Sequence, residues 1–478
     1  MLTNRGESGG QEVGKSVVSS RETGKISLHS GTNTAPNAEI VGTPQRALWA
    51  ATAGFFLGFA AVALYGPAAH QLHMRLQLSE FALGVLVAVP QLTGSLLRIP
   101  MGAWADRVGG RTPMLALLVA SMVGMAGVGL ALQHMGASSR HMYPLILALG
   151  CLSGFGVATF AVGIPQVAYW SPKGRQGQVL GLYGGLGTAA PSLATVFLPY
   201  VVATLGLANA YFAWLGVLVL GTVGYAVSAR DAPYFQLRNR GSDEDLCRRR
   251  AAAAGEELFP MGQAGQGLRD AVHSKAVWGL VLLYFVSFGG YLSLTTWLPT
   301  FWDEYHHLDA RRAGLLVGLG FTLLSALMRA VGGYLSHHWG GERTAALSYV
   351  CALGGAILLT TPTGMASHIV GQTFVAIGFG VASAAVFQLV PSYMPSAVGG
   401  ATGLVGGLGA FGGFVLPPLL GFIADSFGKK GYTGAFGIYG ILAVLAAFTA
   451  LWLEHNAHHQ RDHVPQMAQS LASHSGSR

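Results

Sequence analysis

Ser95–Thr112 reads SLLRIPMGAWADRVGGRT, and Ala326–Thr344 reads ALMRAVGGYLSHHWGGERT. The second stretch is a copy of the first. After Arg98 and Arg329 a Gly follows four residues on (Gly102, Gly333), then a Gly-Gly pair (Gly109-Gly110, Gly340-Gly341), then Arg-Thr (Arg111-Thr112, Arg343-Thr344). Both arginines stand deep inside apolar runs that hold no acidic residue to neutralise them. A charge inside hydrocarbon is costly, so an ionisable group placed there marks a site of function. The pair predicts two related halves, each bringing one guanidinium toward the middle of a membrane, with an anion between them.

The rest of the chain supports a membrane. Of 478 residues 51% are hydrophobic and only 10% charged, and 69 are Gly. Soluble domains carry about 25% charged residues, and Gly is commoner in membrane helices than in soluble ones. Taking ~20 residues per crossing, twelve spans are predicted: 47–69, 80–104, 112–134, 142–169, 177–204, 208–229, 274–299, 313–338, 343–362, 366–392, 399–424 and 434–453. Runs this long satisfy their own backbone only as helices, so the fold class is all-α and polytopic.

The division is six and six. Residues 1–45 read as a disordered cytoplasmic tail without a signal-peptide core. Then come a six-helix half at 46–229, a cytoplasmic linker at 230–273, a second half at 274–453 and a cytoplasmic tail at 454–478. Most of the 28 Lys and Arg residues, among them Arg107, Arg111, Lys173, Arg175 and Arg248–Arg250, fall on one side of this topology. That side is cytoplasmic by the positive-inside rule. The net charge of +8 is thereby explained without nucleic acid.

Further repeats keep the same order. Phe155–Thr159 (FGVAT) in span 4 returns as Phe379–Ser383 (FGVAS) in span 10, and Gly181–Gly187 (GLYGGLG) in span 5 returns as Gly403–Gly409 (GLVGGLG) in span 11. Equivalent helices in two parallel six-span halves describe the major facilitator fold, with its site between the halves. The glycine strings leave one helix face nearly bare, which permits close helix packing or contact of a small ligand with backbone. Gly102–Arg111 fits the facilitator loop signature, so Asp106, Arg107 and Arg111 are gating candidates. His337 replaces Asp106 in the second copy.

The arginines themselves suit a small planar oxyanion, because a guanidinium is flat, permanently charged and forked. Tyr284 and Phe288 lie four residues apart on one face of span 7, and Phe160 lies in span 4. A single aromatic in a membrane helix is ordinarily packing. Cys151, Cys247 and Cys351 form no disulfide or metal pattern. His455, His458, His459 and His463 read as a solvated tail rather than a metal site. No nucleophile–base set is visible, which argues against an enzyme. A membrane sensor would require a signalling domain, and none is visible.

With these residues in place, the chain resembles the nitrate/nitrite porter family of the major facilitator superfamily over roughly 46–453. The resemblance rests on Arg98, Arg329, Phe160–Gly187 (FAVGIPQVAYWSPKGRQGQVLGLYGGLG) and Gly403–Pro417 (GLVGGLGAFGGFVLP), whose glycine strings are the family's signatures. It implies transport of nitrate and nitrite across the inner membrane by alternating access, without a cofactor or metal. Arg98 and Arg329 would clamp the anion, Phe160, Tyr284 and Phe288 would line the site, and Gly184 and Gly407 would let spans 5 and 11 approach. Family members often carry Asn after the first glycine string, where this chain has Thr188. Exchange of nitrate for nitrite is the expected mode, since no Asp, Glu or His is placed mid-span as a proton carrier. Proton-coupled symport and exchange of formate or oxalate are the alternatives. The expected state is a monomer in membrane lipid.

Overall fold

The computed structural model describes residues 40–475 except 137–138, 173–174, 260–263, 363 and 395–397. Most of the expected amino-terminal tail and Lys173 therefore lie outside the described residues, as do the side chains of His458, His459 and His463. Among the described residues twelve helices are long and apolar enough to cross a membrane: Pro44–Leu76, Glu80–Val108, Arg111–Gln133, Arg140–Trp170, Gln178–Leu205, Leu207–Ser228, Lys275–Tyr305, Ala310–Trp339, Gly341–Thr360, Met365–Tyr393, Gly400–Phe427 and Lys429–Asn456. They are called spans 1–12 below, and they match the twelve apolar runs of the sequence.

Local chemistry sets the ends. Span 1 starts where Thr43 Oγ1 accepts from the Arg46 amide, with Pro44 in the first turn, a position where its missing N–H costs nothing. Spans 2 and 8 both stop at the first glycine of their Gly-Gly pair. Gly109 has φ +93° and Gly340 φ +90°, a backbone that side chains with a Cβ rarely adopt. The repeated Gly-Gly therefore encodes a repeated tight turn. Between spans 6 and 7 the chain forms three short helices, Pro233–Arg238, Glu244–Ala253 and Ala264–His273. The last helix, Gly437–Ser475, continues past the expected end of span 12 at 453.

Outward faces are apolar. Span 6 exposes Val217, Leu220, Val223 and Val227, span 9 exposes Leu347, Val350 and Ile357, and span 12 exposes Ile441, Leu445, Phe448 and Leu451. Stripes of this size at helical spacing suit lipid, not water.

The halves join through paired helices. Span 2 packs on span 11: a Cβ on Gly421 would meet the Glu80 carbonyl, and one on Gly84 would meet that of Pro417. The Asp425 carboxylate also accepts from the amides of Glu80 (2.9 Å) and Phe81 (2.8 Å), capping span 2 from the other half. Span 5 packs on span 8, where Ser192 Oγ donates to the Gly318 carbonyl at 2.7 Å. All these contacts lie toward one end of the bundle, here called the Glu80 end. The opposite end carries Asp106.

Candidate functional site

Span 2 is interrupted at Leu97, between helical segments Glu80–Leu96 and Arg98–Val108. Arg98 opens the second segment and is 1% exposed. Its Nη1 donates to the Gly406 carbonyl of span 11 at 3.0 Å, across the two halves. Nε and Nη2 are buried with no hydrogen-bond partner. Its guanidinium carbon stands 4.9 Å from the Phe160 ring centroid and 5.2 Å from that of Phe288. Arg329 of span 8 is half-buried and stands 5.0 Å from the same Phe288 centroid. Among the described residues, neither arginine forms an ion pair with a carboxylate.

Tyr284 and Phe288 stack with centroids 4.9 Å apart and planes 14° from parallel. Phe288 lies within a π-helical turn, Phe285–Gly289; such turns are rare and often occur at functional sites. The Tyr284 hydroxyl is buried without a partner. Phe160 stacks on Phe288 at 6.4 Å. Thus Arg98, Arg329, Phe160, Tyr284 and Phe288, drawn from spans 2, 8, 4 and 7, meet in one place.

The energetics of this cluster are one-sided. A cation over an aromatic face contributes about 0.5–2 kcal/mol. A buried, unsatisfied charged donor costs several kcal/mol. Ring contacts therefore do not offset two orphaned guanidinium nitrogens, and a ligand that accepts hydrogen bonds would.

The glycines act differently from one another. A Cβ on Gly409 would sit 2.7 Å from Tyr284 Cβ, so the span 11 string sets how near span 7 comes and where Tyr284 stands. The approach of spans 5 and 11 through Gly184 and Gly407 is corrected here. Gly407 faces Ile99 and the Ser95 carbonyl of span 2, and a Cβ on Gly184 would meet nothing within 4 Å. Thr188 is fully buried, and its hydroxyl donates to the Gly184 carbonyl of its own helix, while its carbonyl accepts from Tyr291 Oη at 3.0 Å.

The gating candidates hold partners within their own half and the linker that follows it. Tyr169 Oη donates to Asp106 at 2.8 Å. The Arg111 amide donates to Asp231 Oδ1 at 2.8 Å, its Nη2 reaches the Ala226 carbonyl, and Arg238 Nη1 reaches the Arg107 carbonyl. Burial raises the Asp231 carboxyl, while the Arg111 amide and guanidinium act against that rise. The second half builds a parallel lock, in which Arg343 pairs with Glu454 and Tyr393 Oη donates to Glu342.

Sequence reasoning missed three contributors. Phe387 of span 10 packs on Tyr284 at 4.7 Å and on Phe160 at 6.1 Å. Tyr183 Oη donates to the Phe160 carbonyl at 2.9 Å. The Gly406 carbonyl orients Arg98; the repeated glycine string pointed at this segment without showing that its carbonyl is the contact.

Residues 51–417 match the family model of the Major Facilitator Superfamily. The chain is 29% identical over 409 residues to a probable nitrate/nitrite antiporter NarK1 of Thermus thermophilus, covering 79% of this chain and 84% of that protein. It is 30% identical to a probable nitrate/nitrite transporter NarK2 of Mycobacterium tuberculosis, covering 81% of this chain and 91% of that one. Its fold is similar to that of the E. coli xylose transporter XylE in a partially occluded inward-open conformation, with TM-score 0.66 at 16% identity, over 85% of this chain and 96% of that one. The chain belongs to the Major Facilitator Superfamily, and within it to the nitrate/nitrite porter family.

Proposed function

We propose that this protein carries nitrate and nitrite across the inner membrane by alternating access, exchanging one for the other. The observation that carries the reading is the Arg98 guanidinium, sealed in the bundle with two nitrogens that, like the Tyr284 hydroxyl, have no hydrogen-bond partner among the described residues, and with Arg329 against the same Phe288 ring. A planar anion accepts from both forks and from the hydroxyl at once. The anion draws the two arginines, and with them the two halves, together. Without it two like charges repel and resist closure, so the loaded carrier rocks more readily than the empty one. Exchange follows from that difference. The relatives' names, antiporter and transporter of nitrate/nitrite, support the same substrate. In this reading the Asp106 end faces the cytoplasm, with both termini.

The test is counterflow in liposomes. Internal nitrate should accelerate entry of labelled nitrite, and formate should compete weakly. Uptake driven by a pH gradient alone, with no internal anion, would contradict exchange and favour proton symport.

A further inference from the structure

Polar side chains from both halves also meet at the Glu80 end, away from the arginines. His70 of span 1 places Nδ1 3.1 Å from Asp303 Oδ2 and 3.4 Å from Glu304 Oε1, both of span 7. One ligand-type atom from each of the three lies within 4.8 Å of the others. His73, one helical turn on from His70, brings Nδ1 to 3.7 Å from Glu304 Oε1 and also from Glu80 Oε1. Among the described residues His73 Nδ1 and Glu80 Oε2 are buried without a hydrogen-bond partner, although the Tyr432 hydroxyl interacts with the Glu80 carboxylate.

Charge and geometry both favour a cation here. Among the described residues no Lys or Arg forms an ion pair with Glu80, Asp303 or Glu304. Three carboxylates therefore lack a permanent counter-charge. Ligand atoms bound about 2.1 Å from a shared tetrahedral ion lie roughly 3.4 Å apart, close to the separations of His70 from its two neighbours. Imidazole with carboxylate oxygen suits zinc and similar first-row ions. His70 is half exposed.

We propose that His70, Asp303 and Glu304 form a divalent-cation site of the zinc type. Because His70 belongs to one half and the carboxylates to the other, a bound ion holds the Glu80 end shut. It favours the state in which the ligands are together and stops the transport cycle by binding that state alone.

The test uses the purified full chain and Zn2+. Calorimetric titration should show a site whose affinity falls at least about tenfold in His70→Ala and in Asp303→Asn, and is kept in His455→Ala, an exposed histidine outside the cluster. In liposomes, Zn2+ on the Glu80 side should slow labelled nitrite uptake by the unmodified protein. Each site variant, compared with its own rate without metal, should lose that inhibition. Equal zinc affinity in the unmodified protein and His70→Ala would overturn the site. Binding at His70 without any slowing would overturn the clamp. The binding arm does not depend on which anion the carrier moves.

Discussion

Arg98 and Arg329, one from each half, share a single aromatic ring: their guanidinium carbons lie 5.2 and 5.0 Å from the Phe288 centroid. They can be no farther apart than the sum of those distances. Neither has a carboxylate partner among the described residues, so the pair is an electrostatic imbalance that an anion would relieve.

Arg98→Lys keeps the charge and loses the planar fork. Nitrate affinity should fall roughly 30-fold, the loss of about 2 kcal/mol expected for a hydrogen bond to a charged group. Titration of the purified variant, checked for an unchanged elution profile, measures it. Arg329→Lys should lose affinity in the same direction.

Tyr284→Phe separates binding from stability. The hydroxyl has no hydrogen-bond partner among the described residues, so its removal should leave the thermal midpoint unchanged or slightly higher. The affinity for nitrate should drop roughly fivefold, about 1 kcal/mol for one neutral donor. A variant that loses stability and keeps affinity would show that the hydroxyl serves packing.

Glycines in the two equivalent strings should respond unequally. Gly409→Ala puts a methyl against Tyr284 and should destabilise by about 1–3 kcal/mol. Gly184→Ala meets nothing and should fold normally. Thermal midpoints in one detergent compare them.

Glu256 gives a pH dependence outside the membrane. Burial pushes its carboxyl up to about 7, although the Tyr234 amide donates to it and acts in the opposite direction. An unfolded glutamate titrates near ~4.3, so between these values the folded form holds the extra proton. Burial disfavours the charged form, so the buried carboxyl's contribution to stability is full below about 4.3 and is lost as pH rises through about 7. The thermal midpoint should fall across that window. Glu256→Gln should flatten the change.

Helical spacing put Tyr284 and Phe288 on one face, while a site role for them and for Phe160 came only through the family resemblance. The arginines were legible because a charge in an apolar run is a property of the sequence itself. The twelve spans were legible for the same reason. Helix adjacency was not. Repeats show that span 5 corresponds to span 11, yet equivalent helices lie across the pseudo-symmetry axis, and each packs on a different partner. Gly407 accordingly meets Ser95 and Ile99 of span 2. Phe387 carried no signal, because one aromatic in a uniformly apolar helix does not reveal which face looks inward. Thr188 stands where family members often carry Asn, and its own helix takes the hydroxyl through Gly184. Asp425 and Asp231 act as caps on backbone amides of other spans, a pairing that depends on tertiary folding alone.

The most direct measurement is an experimental structure of the protein saturated with nitrate. The clamp requires an anion within about 3.2 Å of guanidinium nitrogens from both Arg98 and Arg329, next to the Phe288 ring. Nitrate bound elsewhere, or held by only one of the two arginines with the other turned onto a protein carboxylate, would contradict it.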